Sequence, residues 1–481
     1  MGQRTLAWSV KGLMLLGCWA GASAAALAQD GDLGDLRFGA AYVRALGLSP
    51  DLNVANSAVA VARSAESTAR AAEYPQLGLK GEYDWAHQSV EGDYYGVADI
   101  DRSDTFNKYM YGIGLTQALY RPDLFKTVDL AKLNVSAAEL AMDVAETKVA
   151  VGLAKDYFLV IDALEVLRGQ YAELSATIEQ QRQIENRQAS GLVKESDVAL
   201  VRAARAMAEA DKIDAEDNVK SARLKLGLTV GGDFKRIGVL QPQTPLPRMD
   251  PPDMQSWIRT ALDKQPALAA ARAGVQAARV GIELSKSRRM PKVDLNASHA
   301  YFDADGGISG ARRDLDQRVG VTVTVPIFTS GAISADIDRA NAQLAQSEAK
   351  LASAELQIKI EVQRAWSSAA SSYRQIDARR RAVEAATDSE NSTKVGLEVG
   401  TETTADWLSA VRRRYEAERD YARERLAYLG SLIQLKAAAG VLQREDMARV
   451  ELLLKFPEAG WPTPPDTSSV TMPSLTEFEQ N

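Results

Sequence analysis

The 481-residue sequence has one cysteine, Cys18, and two histidines, His87 and His299. Cys18 lies among the first 28 residues, so the rest of the chain has no thiol and no disulfide framework. The histidines stand far apart, without metal-ligand spacing. No Gly-rich phosphate loop, nucleophile elbow or Cys/His pair occurs either. Neither catalysis nor a cofactor or metal site is expected. Beyond residue 28 there is no run of 18 apolar residues, which excludes a transmembrane helix. Any membrane crossing must then be a closed barrel. A basic excess is also missing: the net charge is −7, or −9 without the two bases of the first 28 residues. That balance argues against general binding of nucleic acid.

What is present begins with residues 1–28: Arg4 and Lys11, an apolar run from Gly12 to Trp19, then small residues ending in Ala26, Leu27 and Ala28. These are the parts of a secretory signal peptide cut before Gln29. The stretch "LLGC" ending at Cys18 loosely resembles a lipoprotein box; Leu16 before Gly17 and the bulky Trp19 weigh against lipidation.

Beyond the signal the chain reads as a duplication. "ALGLSPDL" at Pro50 is echoed by "ALDKQPAL" at Pro266, and "EYPQLGL" at Pro75 by "RMPKVDL" at Pro291. "SGLVKESD" at Ser190 returns as "VGTETTAD" at Val399. The expected organisation is a first repeat over 29–239, a Pro-rich linker over 240–253, a second repeat over 254–446 and a tail over 447–481 that lacks a regular pattern. Each repeat reads helix, strand, loop, strand, long helix, break, shorter helix. The loops fall on "EGDYYGVADIDRSD" and "DADGGISGARRDLD", where Gly and Asp cluster.

The four strands keep period two. Leu77, Leu79, Tyr83 and Trp85 alternate with Gly78, Lys80, Glu82 and Asp84; Tyr109, Tyr111, Ile113 and Leu115 alternate with Met110, Gly112, Gly114 and Thr116. Val293, Leu295 and Tyr301, and then Val319, Val321, Val323 and Val325, repeat the pattern. A soluble antiparallel sheet with one wet face is the commoner source of such alternation. Lipid is favoured by strands of about 9 to 11 residues and by Tyr83, Trp85, Tyr109, Tyr111 and Tyr301, aromatics of the kind found at barrel interfaces. Four strands cannot close a barrel, and an open edge cannot persist in hydrocarbon. Two copies give eight strands and a filled interior, whereas three give twelve and a lumen. Three are favoured.

Neither Gly nor Pro interrupts Ala332 to Val395. Ile337, Leu344, Leu351 and Ile358 recur at intervals of seven, with Ala340, Ser347 and Ala354 as small partners in an a/d seam. The partner stretch from Leu124 to Ala189 also lacks Pro. The charges between Arg412 and Arg425, with Glu416, Glu418 and Glu424, read as solvated faces. A structural coiled coil of the periplasm or cell surface, without a pore, accounts for the heptads but not for the signal and strands.

The "A-L-x4-P-x-L" helices, the corner "VPIFTSG" at Val325 to Gly331, the "SGL" and "VGT" breaks and "AYLGSLIQLKAAAGVL" at Ala427 to Leu442 together resemble the TolC-like outer-membrane efflux proteins. The resemblance runs from about Leu36 to Leu442. It implies a mixed α and transmembrane β fold: a homotrimeric twelve-stranded outer-membrane barrel, four strands per chain, continued by a long α-helical coiled-coil tunnel in the periplasm. It also implies a periplasmic adaptor (membrane-fusion) protein and an inner-membrane transporter as partners of a passive export duct. The cargo, by type I protein secretion or small-molecule efflux, stays open; the form of the closing helix leans towards secretion.

Both breaks belong at the periplasmic tip. Gly191 and Gly400 permit the left-handed conformation that ends a helix. Thr403 and Asp406 fit a capping box. By the resemblance, Asp406 stands at an acid position of the tunnel entrance, Ser409 where a second acid is usual, and Glu402 where a base helps hold the tip closed. Three copies of a pore-facing acid make a ring that attracts cations. Asp406, helped by Glu402 and Glu398, is therefore the expected constriction, with a closing network unlike that of the family. Ser190, Gly191 and Leu192, with Val399, Gly400 and Thr401, stand where relatives meet adaptor tips; ordinary helix-end chemistry explains them equally well.

Overall fold

The computed structural model describes residues 34–94, 97–191, 193–307 and 310–456; the signal segment with Cys18, and Leu192, lie outside the described residues. In chain order the elements are β1 (Asp35–Leu36), α1 (Phe38–Leu48), α2 (Pro50–Ala71), β2 (Gln76–Tyr94), β3 (Val97–Tyr120), α3 (Pro122–Ala189), α4 (Glu195–Val230), β4 (Arg236–Ile237) and β5 (Val239–Leu240). Then follow α5 (Met254–Lys264), α6 (Pro266–Ser287), β6 (Lys292–Ala304), β7 (Arg312–Thr324), α7 (Ala332–Val399), α8 (Thr404–Ala438), α9 (Arg444–Leu453) and β8 (Leu454–Lys455).

Helix starts follow local chemistry. Pro50, Pro122 and Pro266 occupy first-turn positions of α2, α3 and α6, where a missing N–H costs nothing. Ser49 caps α2 by accepting from the Leu52 N–H, and Asp253 caps α5 by accepting from Ser256. α3 and α7 each run for 68 residues, on the order of 100 Å. Neither length serves a single globular core. α3 packs on α2 and α6 near its start and on α4 and α8 farther on, while α7 packs on α6, α5 and α8. The heptad seam of α7 faces these neighbours: Ala340 and Ile358 are buried, and Leu351 and Ala354 pack beside Trp257, Val362 and Leu435.

A second cluster joins α1, α3, α4, α8 and α9 around Phe38, Leu153, Tyr157, Ile161, Leu226 and Leu429. Phe38 meets Tyr157 edge-on at 5.0 Å between centroids. The Tyr157 hydroxyl donates to the Leu36 carbonyl at 3.1 Å and accepts from the Gly238 N–H, tying both ends of the first repeat to α3.

Three expectations change. The hairpin expected to open into a loop after residue 90 stays paired: β2 continues to Tyr94 and β3 begins at Val97, giving 19 and 24 residues, against 13 in each of β6 and β7. Regular structure also passes Met447, because Met447 and Val450 of α9 are buried against α1 and β8 pairs with β5; residues 457–481 lie outside the described ones. Finally, the segment between the repeats is strapped down. Arg425 of α8, only 3% exposed, donates to the carbonyls of Gln241 and Thr244, and Tyr428 to that of Pro247. Arg425 is thus a buried tie and not part of a solvated face.

Candidate functional site

The strands form one antiparallel sheet in the order β2-β3-β6-β7. Its register decides which side chains share a face. Leu79 pairs with Ile113, Ile113 with His299 and His299 with Gln317; Leu77, Leu115, Ala297 and Val319 form the next row. Odd-numbered residues therefore share one side in all four strands. That side carries Leu77, Leu79, Tyr83, Trp85, Ile113, Leu295, Val319, Val321 and Val323. The opposite side carries Lys80, Glu82, Asp84, Thr116, Asn296, Asp316 and Thr322, where Asn296 donates to Thr322 Oγ1 at 3.0 Å and Thr116 donates to Asn296 Oδ1 at 3.2 Å.

The apolar side is bounded by aromatics. Tyr83 and Tyr109 are 5.1 Å apart between ring centroids, and Tyr111 stacks on Tyr301 at 5.0 Å. The rings thus lie across three strands at one height, with Trp85 two residues beyond Tyr83. From Leu77 to Trp85 the band spans the length that a tilted transmembrane strand needs; the polar remainder of β2 and β3 runs past it. At the other border stand Tyr74, Tyr120, Ile327 and Phe328, the last two 95% and 85% exposed. This second border was not singled out from sequence, because its residues sit in corners where no alternation marks them.

At the far ends of α3 and α7 the two breaks reverse the chain. Gly191 and Gly400 adopt φ of +73° and +83°. The Gly400 N–H bonds back to the Gly396 carbonyl, and so does that of Thr401, at 2.8 Å. An added Cβ at Gly396 would crowd the Glu402 side chain, which would have to shift. Thr403 and Asp406 form the capping box: the Asp406 N–H donates to Thr403 Oγ1 at 3.2 Å, and the Asp406 carboxylate accepts from the Thr403 N–H at 3.1 Å. The Thr403 hydroxyl and N–H, both donating to the Asp406 carboxylate, hold it below its usual range. Asp406, Ser409, Glu402 and Glu398 are all exposed in the single chain, as are Ser190, Gly191, Val399, Gly400 and Thr401. The first break differs: Lys194 stands at the cap without a side-chain bond, with Glu195 and Asp197 in the first turn of α4.

Between tip and sheet, α8 is tied to both long helices. Arg412 donates to Glu173 of α3 at 3.0 Å, and Arg423 grips Asp162 of α3 with two bonds of 3.1 and 3.2 Å. Arg414 pairs with Glu390 of α7, and Arg379 of α7 with Asp420. These charges, expected to be solvated, are the ties between helices distant in sequence. At the junction of sheet and helices, Arg121 bonds Asp123 and Asp294, and Lys292 bonds Asp123 at 2.9 Å.

A one-faced apolar sheet and two long paired helices ending in matched breaks coincide with a known family model, that of the outer membrane efflux proteins, which matches residues 41–232 and 257–441. The chain belongs to this family. The Escherichia coli outer membrane protein TolC is 24% identical over 399 residues, covering 81% of this chain and 79% of TolC. The alkaline protease secretion protein AprF of Pseudomonas aeruginosa is 24% identical over 350 residues, 72% of this chain and 69% of AprF. The solved Campylobacter jejuni CmeC outer membrane channel shares the fold, with a TM-score of 0.72 at 15% identity over 86% of this chain and 89% of that one. As an outer membrane efflux protein the chain resides in the outer membrane, extends into the periplasm and serves as an export duct.

Proposed function

We propose that three copies join their sheets edge to edge into a twelve-stranded barrel, from which the helices continue as a tunnel to an acidic periplasmic entrance. The observation that carries this reading is the shared parity of the four strands. One face carries the apolar band of Leu77, Leu79, Ile113, Val319, Val321 and Val323, while β2 and β7 present unpaired edges that hydrocarbon does not tolerate. Twelve strands leave a lumen for the polar even face, whereas eight would nearly fill it.

The duct itself is passive. Energy comes from an inner-membrane transporter, joined through a periplasmic adaptor that meets the tip at Ser190 to Leu192 and Val399 to Thr401. Asp406 supplies the constriction ring, with Glu402 and Glu398 beside it and Ser409 one turn along. The tip is held by the Arg412 and Arg423 ties of α8 to α3. Likeness to AprF supports a type I secretion role for this chain, and the family model's own description supports efflux.

Crosslinking in intact cells, followed by purification, tests the assembly and names the partners. The expected result is a trimer that conducts ions in planar bilayers and copurifies with an adaptor and a transporter. A stable bilayer-embedded monomer would overturn the reading.

A further inference from the structure

The upper end of the sheet carries a device that export itself does not require. Past Ala304, β6 leaves the ladder, yet the chain does not turn outward into solvent. The Asp305 N–H donates to the Asn107 carbonyl at 3.2 Å, and the Asp305 carboxylate accepts from the Asn107 N–H at 2.7 Å and from its side-chain amide at 3.0 Å. The Asp305 carboxylate thus takes the place of a ladder acceptor for a β3 backbone group that would otherwise lack one. The Gly307 N–H then donates to the Asp104 carboxylate at 2.6 Å.

Between these anchors Gly306 and Gly307 cross directly over Phe106. An added Cβ on Gly306 would lie 2.8 Å from the Phe106 Cβ, and one on Gly307 would lie 3.1 Å from its ring. The φ of Gly307, +107°, also favours glycine. Phe106 is consequently 7% exposed although it stands on a sheet with no second layer. The side it occupies decides the meaning. Phe106 is even-numbered and pairs with Ala86, two residues beyond the Lys108 and Asp84 row; it lies on the polar, lumenal face. Gly306 and Gly307 therefore fold inward, anchored by the Asp305 carboxylate on Asn107.

We propose that Asp305, Gly306 and Gly307, pinned over Phe106, form a built-in collar that narrows the extracellular mouth of the duct and excludes bulky solutes from outside. This rests on the trimeric-duct reading, in which three collars face one lumen. An apolar ring covered by two glycines and fixed by two carboxylates is a specified structure, held by bonds between residues about 200 apart in sequence.

The test is polymer exclusion from single channels in planar bilayers, with poly(ethylene glycol) of graded size added to the extracellular side. Two variants disturb different parts: Asp305→Ala removes the carboxylate anchor and keeps the ring, and Phe106→Ala removes the ring and keeps the anchor. Both should assemble as the parent does on unheated gels, admit polymers that the parent excludes, and conduct more. The cut-off for polymer added on the periplasmic side should not move. Conducting trimers of either variant with an unchanged extracellular cut-off would overturn the collar while leaving the duct intact. A parent protein that forms no channels would overturn both.

Discussion

The Nε of Arg412 on α8 lies 3.0 Å from Oε1 of Glu173 on α3, and the two differ sharply in surroundings: Glu173 is 8% exposed, whereas Arg412 reaches solvent and also lies 4.0 Å from Asp211. The pair is therefore unequal. Removing the arginine strands a carboxylate in the helix bundle, while removing the glutamate leaves the arginine with water and a second acid.

Arg412→Ala should accordingly destabilise the proposed trimer more than Glu173→Ala does. With one partner half in water, the difference is expected to be about 1–2 kcal/mol. Thermal dissociation of purified trimers measures it. If α8 is a moving part of the entrance, both variants should also raise single-channel conductance; equal losses of stability for the two would contradict the assigned asymmetry.

Thr403 and Asp406 allow the cap to be separated from the charge. Thr403→Ala removes one half of the capping box and costs about 1 kcal/mol of helix stability, yet it keeps the carboxylate. Block by divalent cations should persist in Thr403→Ala channels and fall in Asp406→Ala and Asp406→Asn channels. Because the Asp406 carboxyl is held below its usual range by Thr403, the block should survive mild acid and fade only below the ordinary carboxylate pKa. Block unchanged in Asp406→Asn would take Asp406 out of the ring.

Asp123 sits where β3 passes into α3. Burial pushes its carboxyl up, but hydrogen bonds from Arg121 and Lys292, with their charges, outweigh that and hold it at about 2 against an ordinary 3.8. The folded pKa is depressed, so the stabilisation is present above the unfolded value and is lost as pH falls through the folded one. It amounts to about 2 kcal/mol. Acid titration of trimer stability should show this loss between about pH 4 and pH 2, and Asp123→Asn should abolish that part of the pH dependence.

Val321 and Thr322 are neighbours on opposite faces of β7. An arginine at Val321 faces hydrocarbon and should cost about 2–4 kcal/mol near the midplane, seen as failed outer-membrane assembly. An arginine at Thr322 faces the lumen and should assemble, with altered ion selectivity. Equal tolerance at both positions would contradict the parity on which the barrel rests.

How far the chain could be read in advance follows from where each signal is stored. Leu77 to Trp85 and Val319 to Val325 were legible because each strand keeps its apolar side chains on one face, and period two records that directly. β2 beyond His87 was not, since its polar residues on both faces resemble a loop; cross-strand bonds such as that of His87 with Thr105 at 2.8 Å keep it paired. The Thr403 to Asp406 cap is local, and local chemistry is visible in four residues. The ties of Arg412 to Glu173 and Arg423 to Asp162 are not local: nothing along α8 says that the opposing face belongs to a helix some 240–260 residues earlier. Met447 and Val450 of α9 form one apolar step, too short to stand out as a pattern before the tail.

α3 and α7 have the same length, 68 residues, although the corners that feed them differ: one residue separates β3 from α3, and seven separate β7 from α7. A residue inserted into only one of them turns everything beyond it by about 100° and lifts it about 1.5 Å, putting its break out of level with its twin. Evolution can shorten or stretch such a pillar only in matched steps on both legs, whereas the corners are free to drift.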